Sequence, residues 1–254
     1  MNPTLEQKFR NYSQTSITKV QRDCQVELYQ NRLKLWAKAF APLLPDIARA
    51  KRICDYGTGP GEFLVFLRAH TDAALVGYDP SVSQIERARS FFKNDPKVTL
   101  TQQAPINQER FDIVFCNHVI EHVPDEDLDQ FMKTLTDLVT PDGLLVIATP
   151  NGLNPFSHTY FMASDFTHLR MHSPFTLAEV LELKDFDLVA VHRELPQVYD
   201  LQTFAKYWVW LFFSSFAKLA ILSHAGGVRG LAYPLTMAST FYGVAKRKKH
   251  TLAD

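Results

Sequence analysis

A doubly wound α/β domain on a mostly parallel sheet is the fold class this sequence predicts, and three observations carry that prediction. Short apolar runs near 52–56, 74–79, 97–101, 111–116 and 143–149 alternate with helical patterns near 61–70, 81–93 and 125–139, the rhythm of βαβ units. The first run passes into Gly57-Thr58-Gly59-Pro60-Gly61, and the second ends in a carboxylate, Asp79. The run over 143–149 is too apolar for a strand with one wet face.

Composition sets the outer bounds. A length of 254 residues suits one α/β domain with additions, and 46% apolar residues are enough for a large core. Lys plus Arg and Asp plus Glu both number 27, so no basic field favours nucleic acid, which is not expected as a partner. Cys24, Cys54 and Cys116 are scattered, without the spacing of a zinc or redox pair, and are expected as reduced core thiols. Met1 to Arg10 lacks the basic start and apolar run of a signal peptide, so a cytoplasmic location is expected.

In chain order, residues 1–50 come first as N-terminal helices forming a lid or cap. Val26, Leu28, Tyr29, Leu33, Trp36, Ala37 and Phe40 give helical spacing, and Pro42 and Pro45 punctuate the end. The strand ending at Tyr56 then enters the glycine turn. Gly57, Gly59 and Gly61 lack the Cβ atoms that would keep a ligand from the backbone. Asp79, at the end of the second strand, is placed to accept hydrogen bonds from ribose hydroxyls, the rule at the carboxyl edge of a doubly wound sheet. The expected ligand therefore carries a nucleoside. Dinucleotide folds use G-x-G-x-x-G to seat a pyrophosphate on a helix N-terminus. Here the pattern is G-x-G-x-G followed by Glu62, whose carboxylate would repel a pyrophosphate.

Two later stretches complete the pattern. Phe111-Asp112-Ile113-Val114-Phe115-Cys116-Asn117-His118-Val119-Ile120-Glu121-His122-Val123 reads as a strand and the loop after it. Pro141-Asp142-Gly143 reads as a turn, followed by the apolar run to Asn151. Taken in order with the glycine turn and Asp79, these resemble the motifs of class I S-adenosylmethionine-dependent methyltransferases over about residues 50–195, and among them the ubiquinone-biosynthesis and surface-glycan O-methyltransferases.

That resemblance implies a Rossmann-like, seven-stranded sheet whose last strand is antiparallel, with N-terminal helices and a helical insertion before the last strand. The implied division is a cofactor-binding core over 51–194, an aromatic insertion over 195–237, and a last strand with a basic tail over 238–254. It also implies S-adenosyl-L-methionine as cofactor. Gly57, Thr58, Gly59 and Gly61 would meet its amino-acid part, Asp55 its ammonium directly or through water, and Asp79 with Pro80 its ribose. Asn117 and His118 would line the methionine or adenine side, and Arg32 would fork onto the carboxylate. Two departures stand out: Tyr56 replaces a small aliphatic residue, and no acid occurs around Gln102-Gln103-Ala104 to meet the adenine amino group.

For the acceptor, the stretch from Ser157 to Pro174 follows the fifth strand and carries His158, His168 and His172, and a helix is expected after it from about Thr176 to Leu183. His168 is the candidate base or acceptor ligand, and His122 is a second candidate, with pairing to Glu121 as its alternative. Asp165, His168 and His172 have a spacing able to feed a metal, but no fourth ligand is evident, and none is expected. The expected function is methyl transfer to an oxygen of a small molecule or sugar, including lipid-linked or quinone-like acceptors. An N-methyltransferase and a non-catalytic binding module stand as alternatives. The aromatic stretch across 204–222 has three readings: a helix packed as a lid, a hydrophobic substrate cap or homodimer contact, or peripheral membrane attachment aided by Lys206, Lys218, Arg229 and Lys246-Arg247-Lys248-Lys249.

Overall fold

A computed structural model describes residues 25–106, 110–193, 201–224 and 238–249. The reading of 1–24 as part of a helical lid, Cys24, Arg229 and the remainder of the insertion lie outside these residues.

Helix α1 (Gln25–Ala39), a 3-10 turn (Ala41–Leu43) and α2 (Leu44–Arg49) lead into the sheet. The alternation then runs β1 (Arg52–Tyr56), α3 (Glu62–Arg68), β2 (Ala74–Tyr78), α4 (Val82–Phe91), β3 (Val98–Thr101) and β4 (Phe111–Asn117). A 3-10 turn (Ile120–His122), α5 (Asp125–Asp137) and β5 (Val139–Pro150) follow. The chain closes with α6 (Pro155–Ser164), α7 (Pro174–Glu182), β6 (Phe186–Arg193), α8 (Leu201–His224) and β7 (Thr240–Arg247).

The seven strands are ordered β3-β2-β1-β4-β5-β7-β6. Only β7 runs against its neighbours, pairing antiparallel with both β5 and β6. The order reverses between β1 and β4, whose parallel pairing sets Asp55 opposite Phe115. That reversal opens a crevice beyond the carboxyl ends of β1, β2 and β4.

Strand alternation builds two cores. Cys54, Tyr56, Val76, Tyr78, Val114 and Cys116 face α5 and α7 on one side. Ile53, Leu75, Ile113, Phe115, Leu144 and Val146 face α1 to α3 on the other, where Phe40 meets Phe63, Phe115 and Tyr242 edge-on or tilted. Each buried aromatic of this kind contributes about 1.5–3 kcal/mol.

Three elements differ from the sequence reading. The fifth strand starts at Val139 rather than 143, absorbing Pro141-Asp142-Gly143 at a register shift opposite Phe111 and Ile113. A Cβ on Gly143 would stand 2.8 Å from the Asp112 carbonyl, so that glycine permits a close backbone approach. Residues read as an acceptor loop contain α6, and α7 begins at Pro174 rather than 176. Ser173 caps it by accepting from the Thr176 amide, Thr176 returns the bond to the Ser173 amide, and Pro174 takes the first turn.

The basic tail is also less available than a solvated end. Arg247 donates to the Thr136 carbonyl at 2.9 Å and lies over the Phe186 ring, while Lys248 pairs with Glu182 at 3.3 Å. Among the described residues no helix is long and apolar enough to cross a membrane.

Candidate active site

The glycine turn is held in a backbone region that side chains disfavour. Gly57, Gly59 and Gly61 have φ of 86°, 53° and 84°. Their reasons differ from the simple expectation of ligand access. A Cβ on Gly57 would meet Val119 at 2.3 Å and one on Gly61 would meet Ala88 at 2.8 Å, so both serve packing. Only at Gly59 would it meet nothing within 4 Å, leaving that backbone open to a ligand.

The turn is tied to β2 by the amides of Gly57 and Thr58, which both donate to the Tyr78 carbonyl at 2.8 Å. Asp79 continues the tie, accepting from the Gly59 amide at 2.9 Å and the Ser81 amide at 2.8 Å. Each carboxylate oxygen keeps a further lone pair. Burial raises its pKa to about 6 against the pull of those two amides.

Behind the turn lies a group of buried polar atoms. Asp55 is 1% exposed, and neither of its carboxylate oxygens has a hydrogen-bond partner; the same holds for Thr58 Oγ1 and the side-chain amide of Asn117. Burial raises the Asp55 pKa to about 7; Thr58 opposes that rise, the charge of Asp79 adds to it, and Asn117 opposes it. Buried acceptors without donors are costly, and this set is suited to receiving a cationic, donor-bearing ligand. Cys54 and Cys116 are buried free thiols whose pKa burial pushes well up, which makes them inert core residues.

A cavity of about 170 Å³ opens over the turn, lined by Gly57, Gly59, Asp79, Pro80, His118 and His122, with Tyr56, Tyr78 and Phe131 as aromatic walls. Tyr56 and Tyr78 rings lie 4.6 Å apart and form a floor that the sequence flagged only as a departure at Tyr56. Ser81 and Gln84 from the start of α4 also line it and were not foreseen. Arg32 does not line the cavity. It is 52% exposed and bonds to Glu62 at 2.7 Å, pinning α1 to the start of α3.

At the far end three histidines gather around Glu121, which is wholly buried. His118, at φ 54°, donates from Nδ1 to Glu121 at 3.1 Å, and Thr149 donates to the other oxygen at 3.1 Å. Burial pushes the Glu121 carboxyl up, but the bond and charge of His118, with His122, more than reverse this and hold it below its ordinary value. His122 interacts with Glu121 through charge. Its Nδ1 lies 2.9 Å from Thr167 Oγ1 and 3.2 Å from the Thr167 carbonyl. Burial lowers its pKa, opposed by Glu121 and reinforced by His168.

His168 reaches the same place from the segment between α6 and α7. Its ring lies 4.7 Å from that of His122, and its Nδ1 is 2.7 Å from the Phe161 carbonyl. A carbonyl only accepts, so the proton sits on Nδ1 and Nε2 carries the lone pair. The spaced set Asp165, His168 and His172 does not assemble: His172 is buried beside Asn151, its carbonyl taking the Gly152 amide at 2.7 Å. Glu121 takes the place sequence spacing had offered to His172, a grouping that no local pattern reveals.

A family model described as a methyltransferase domain matches residues 28–191, more than half of the chain. The ubiquinone biosynthesis O-methyltransferase of Brucella melitensis biotype 2 is 35% identical over 115 residues, covering 43% of this chain and 45% of that protein. The Bradyrhizobium diazoefficiens protein of the same name is 34% identical over 105 residues, covering 39% and 40%. The match thus spans less than half the length of these relatives. Among solved structures, an S-adenosylmethionine-dependent methyltransferase from Archaeoglobus fulgidus superposes at TM-score 0.58 and 20% identity, covering 85% of this chain and 94% of that one. Magnesium protoporphyrin IX methyltransferase from Synechocystis PCC 6803, solved with the cofactor bound, does so at 0.60 and 14%, covering 96% and 97%. The strand order, the glycine turn with Asp79 and the family match agree, and the chain belongs to the class I S-adenosylmethionine-dependent methyltransferases.

Proposed function

We propose that this chain transfers a methyl group from S-adenosylmethionine to an oxygen of a small-molecule or sugar acceptor. The observation that carries the reading is Asp79, whose carboxylate is fixed by the amides of Gly59 and Ser81 beside the one glycine of the turn that faces open space. A carboxylate fixed in this way is prepared to accept both ribose hydroxyls without reorganising.

S-adenosylmethionine, when bound, supplies an electrophilic methyl on a sulfonium. Asp55, with Thr58 and Asn117 beside it, would receive the ammonium on a carboxylate that burial leaves short of donors. Gly57 and Gly59, which line the cavity, would give backbone to the amino-acid part, Thr58 and Gly61 would hold the turn in shape, and Pro80 and Tyr78 would wall the nucleoside. Arg32, held on Glu62, would have to exchange partners to reach a cofactor carboxylate.

Alignment of acceptor and methyl is the largest contribution the protein can make to such a displacement. His122 and His168 stand at the acceptor end, and His168 Nε2 is the atom that would take or share the acceptor proton. Oxygen is preferred as the acceptor atom because the curated relatives are named as O-methyltransferases. A lipid-linked or quinone-like acceptor fits the exposed aromatic face of α8.

Calorimetric titration with S-adenosylmethionine and its demethylated product tests the reading. Both should bind the full chain, and Asp79→Ala should weaken binding by about 10- to 100-fold, the worth of hydrogen bonds to a charged group. Unchanged affinity in that variant would remove Asp79 from the site, and absence of binding by the wild type would overturn the function.

A further inference from the structure

Glu121, His122 and His168 each bring one potential ligand atom to a common point, all within 4.8 Å of one another. Two of the three arrive from the turn after β4 and the third from the segment before α7, so the fold assembles the group. The chemistry of the set is specific. Two imidazoles and one carboxylate are the donors of zinc-type first-row cations, and sites with three protein ligands keep a position open for a further oxygen.

The surroundings orient both rings for this task. The Phe161 carbonyl holds the Nδ1 proton of His168 and Thr167 holds that of His122, at 2.7 Å and 2.9 Å, directing each Nε2 lone pair to the other side. Carbonyl and hydroxyl partners on the far nitrogen are what metal-binding histidines use to fix tautomer and angle. Asp165 extends the arrangement outward, accepting from Thr167 Oγ1 at 2.7 Å and lying 3.9 Å from His168 Nε2. Donor atoms around zinc stand about 3.4 Å apart at bond lengths of about 2.1 Å, so atoms within 4.8 Å of one another would close by up to ~1.4 Å.

We infer that Glu121, His122 and His168 form a binding site for a zinc-type divalent cation at the acceptor end of the cavity. His122 lines that cavity, which puts the group at its edge. There a hydroxyl of the acceptor would be oriented and would lose its proton to solvent more readily. This use in methyl transfer rests on the proposed function; the binding of the cation does not. His168 Nε2 then acts as a ligand, a role that excludes its service as a base.

The full chain, stripped with a chelator, is titrated with Zn2+ by calorimetry and with Co2+ by visible absorption. The demethylated cofactor is titrated in parallel. One cation per chain is expected, with Co2+ bands of low coordination number. His168→Ala should weaken it by more than ~100-fold while leaving cofactor affinity unchanged, and Thr167→Val, which removes an outer partner of His122, by about 10- to 100-fold. A chain that binds the demethylated cofactor but neither cation overturns the site and leaves the function standing. Equal cation affinity in wild type and both His168→Ala and His122→Ala overturns it as well. Failure to bind the cofactor would count against the proposed function alone.

Discussion

Asp55 is the residue whose chemistry most directly reports a bound cofactor. Burial has raised its pKa from 3.8 to about 7 in the free chain. Between those values the native chain holds a proton that the unfolded chain has released, so raising pH across this window lowers the stability of the free protein. Binding an ammonium favours the ionised carboxylate. Cofactor affinity should therefore rise as pH increases through about 7, with a proton released on binding near neutrality. Titrations in buffers of different ionisation enthalpy will measure that proton, and Asp55→Asn should abolish both its release and the pH dependence. A pH-independent affinity in the wild type would place the ammonium elsewhere. At this scale the sequence was informative where a residue type has one use: Asp79 and the glycine turn were legible from their order alone. The surroundings of Glu121 were not, because although His118 lies three residues before it, Thr149 and His168 come from separate segments. Arg32 was expected on a cofactor carboxylate; here it bonds to Glu62, a partner that helical position does not reveal.

Helices and strands were legible wherever apolar period and punctuation agreed, as in β1, β2, β4 and α5. They were harder to read where tertiary packing decides. The added start of β5 depends on pairing with β4, and α6 lies in a segment whose histidines drew attention to loop chemistry. Helix α8 has a different character. Phe204, Trp208, Phe212 and Phe216 are exposed at four-residue spacing, with Val209 and Phe213 alongside, and no acidic residue occurs from Leu201 to His224. Four-residue spacing puts these rings on one stripe. A helix that carries such a stripe without negative charge suits the plane of a lipid interface. Sedimentation with anionic vesicles should carry the wild-type chain down, and Trp208→Glu with Phe212→Glu should leave it in the supernatant without changing cofactor affinity. Equal sedimentation of both would return α8 to the role of a lid.

At the level of the molecule, the sheet order is what gathers the site. The carboxyl ends of β1, β2 and β4 meet where the order reverses, and α4 and α5 add Gln84 and Phe131 from outside the sheet. A ligand in this cavity touches elements on which the whole fold depends, so its binding energy appears as global stability. At 100 times its dissociation constant it adds about 2.7 kcal/mol. For a domain of this size, each kcal/mol is worth roughly 2–4 °C in Tm. A thermal scan should thus show a rise of roughly 5–10 °C with the demethylated cofactor, and a smaller rise of roughly 1–6 °C in Asp79→Ala at the same concentration. The order of the motifs made this topology readable, because strand sequence and crossover handedness leave few arrangements. At the acceptor end His122 and His168 were named from sequence, but their grouping with Glu121 was not readable, since the three meet only after the chain has folded.

Glu121 has one more pair of contacts. Its backbone carbonyl accepts from the amides of Leu169 at 2.8 Å and Arg170 at 3.3 Å. Those are bonds that any residue but proline can make, so main-chain mooring adds to the side-chain bonds of Thr167, His168 and Arg170 in holding 166–170 and leaves Phe166 and Leu169 exposed. Substrate range could then be rewritten by exchanging Phe166 and Leu169 while the mooring stays as it is.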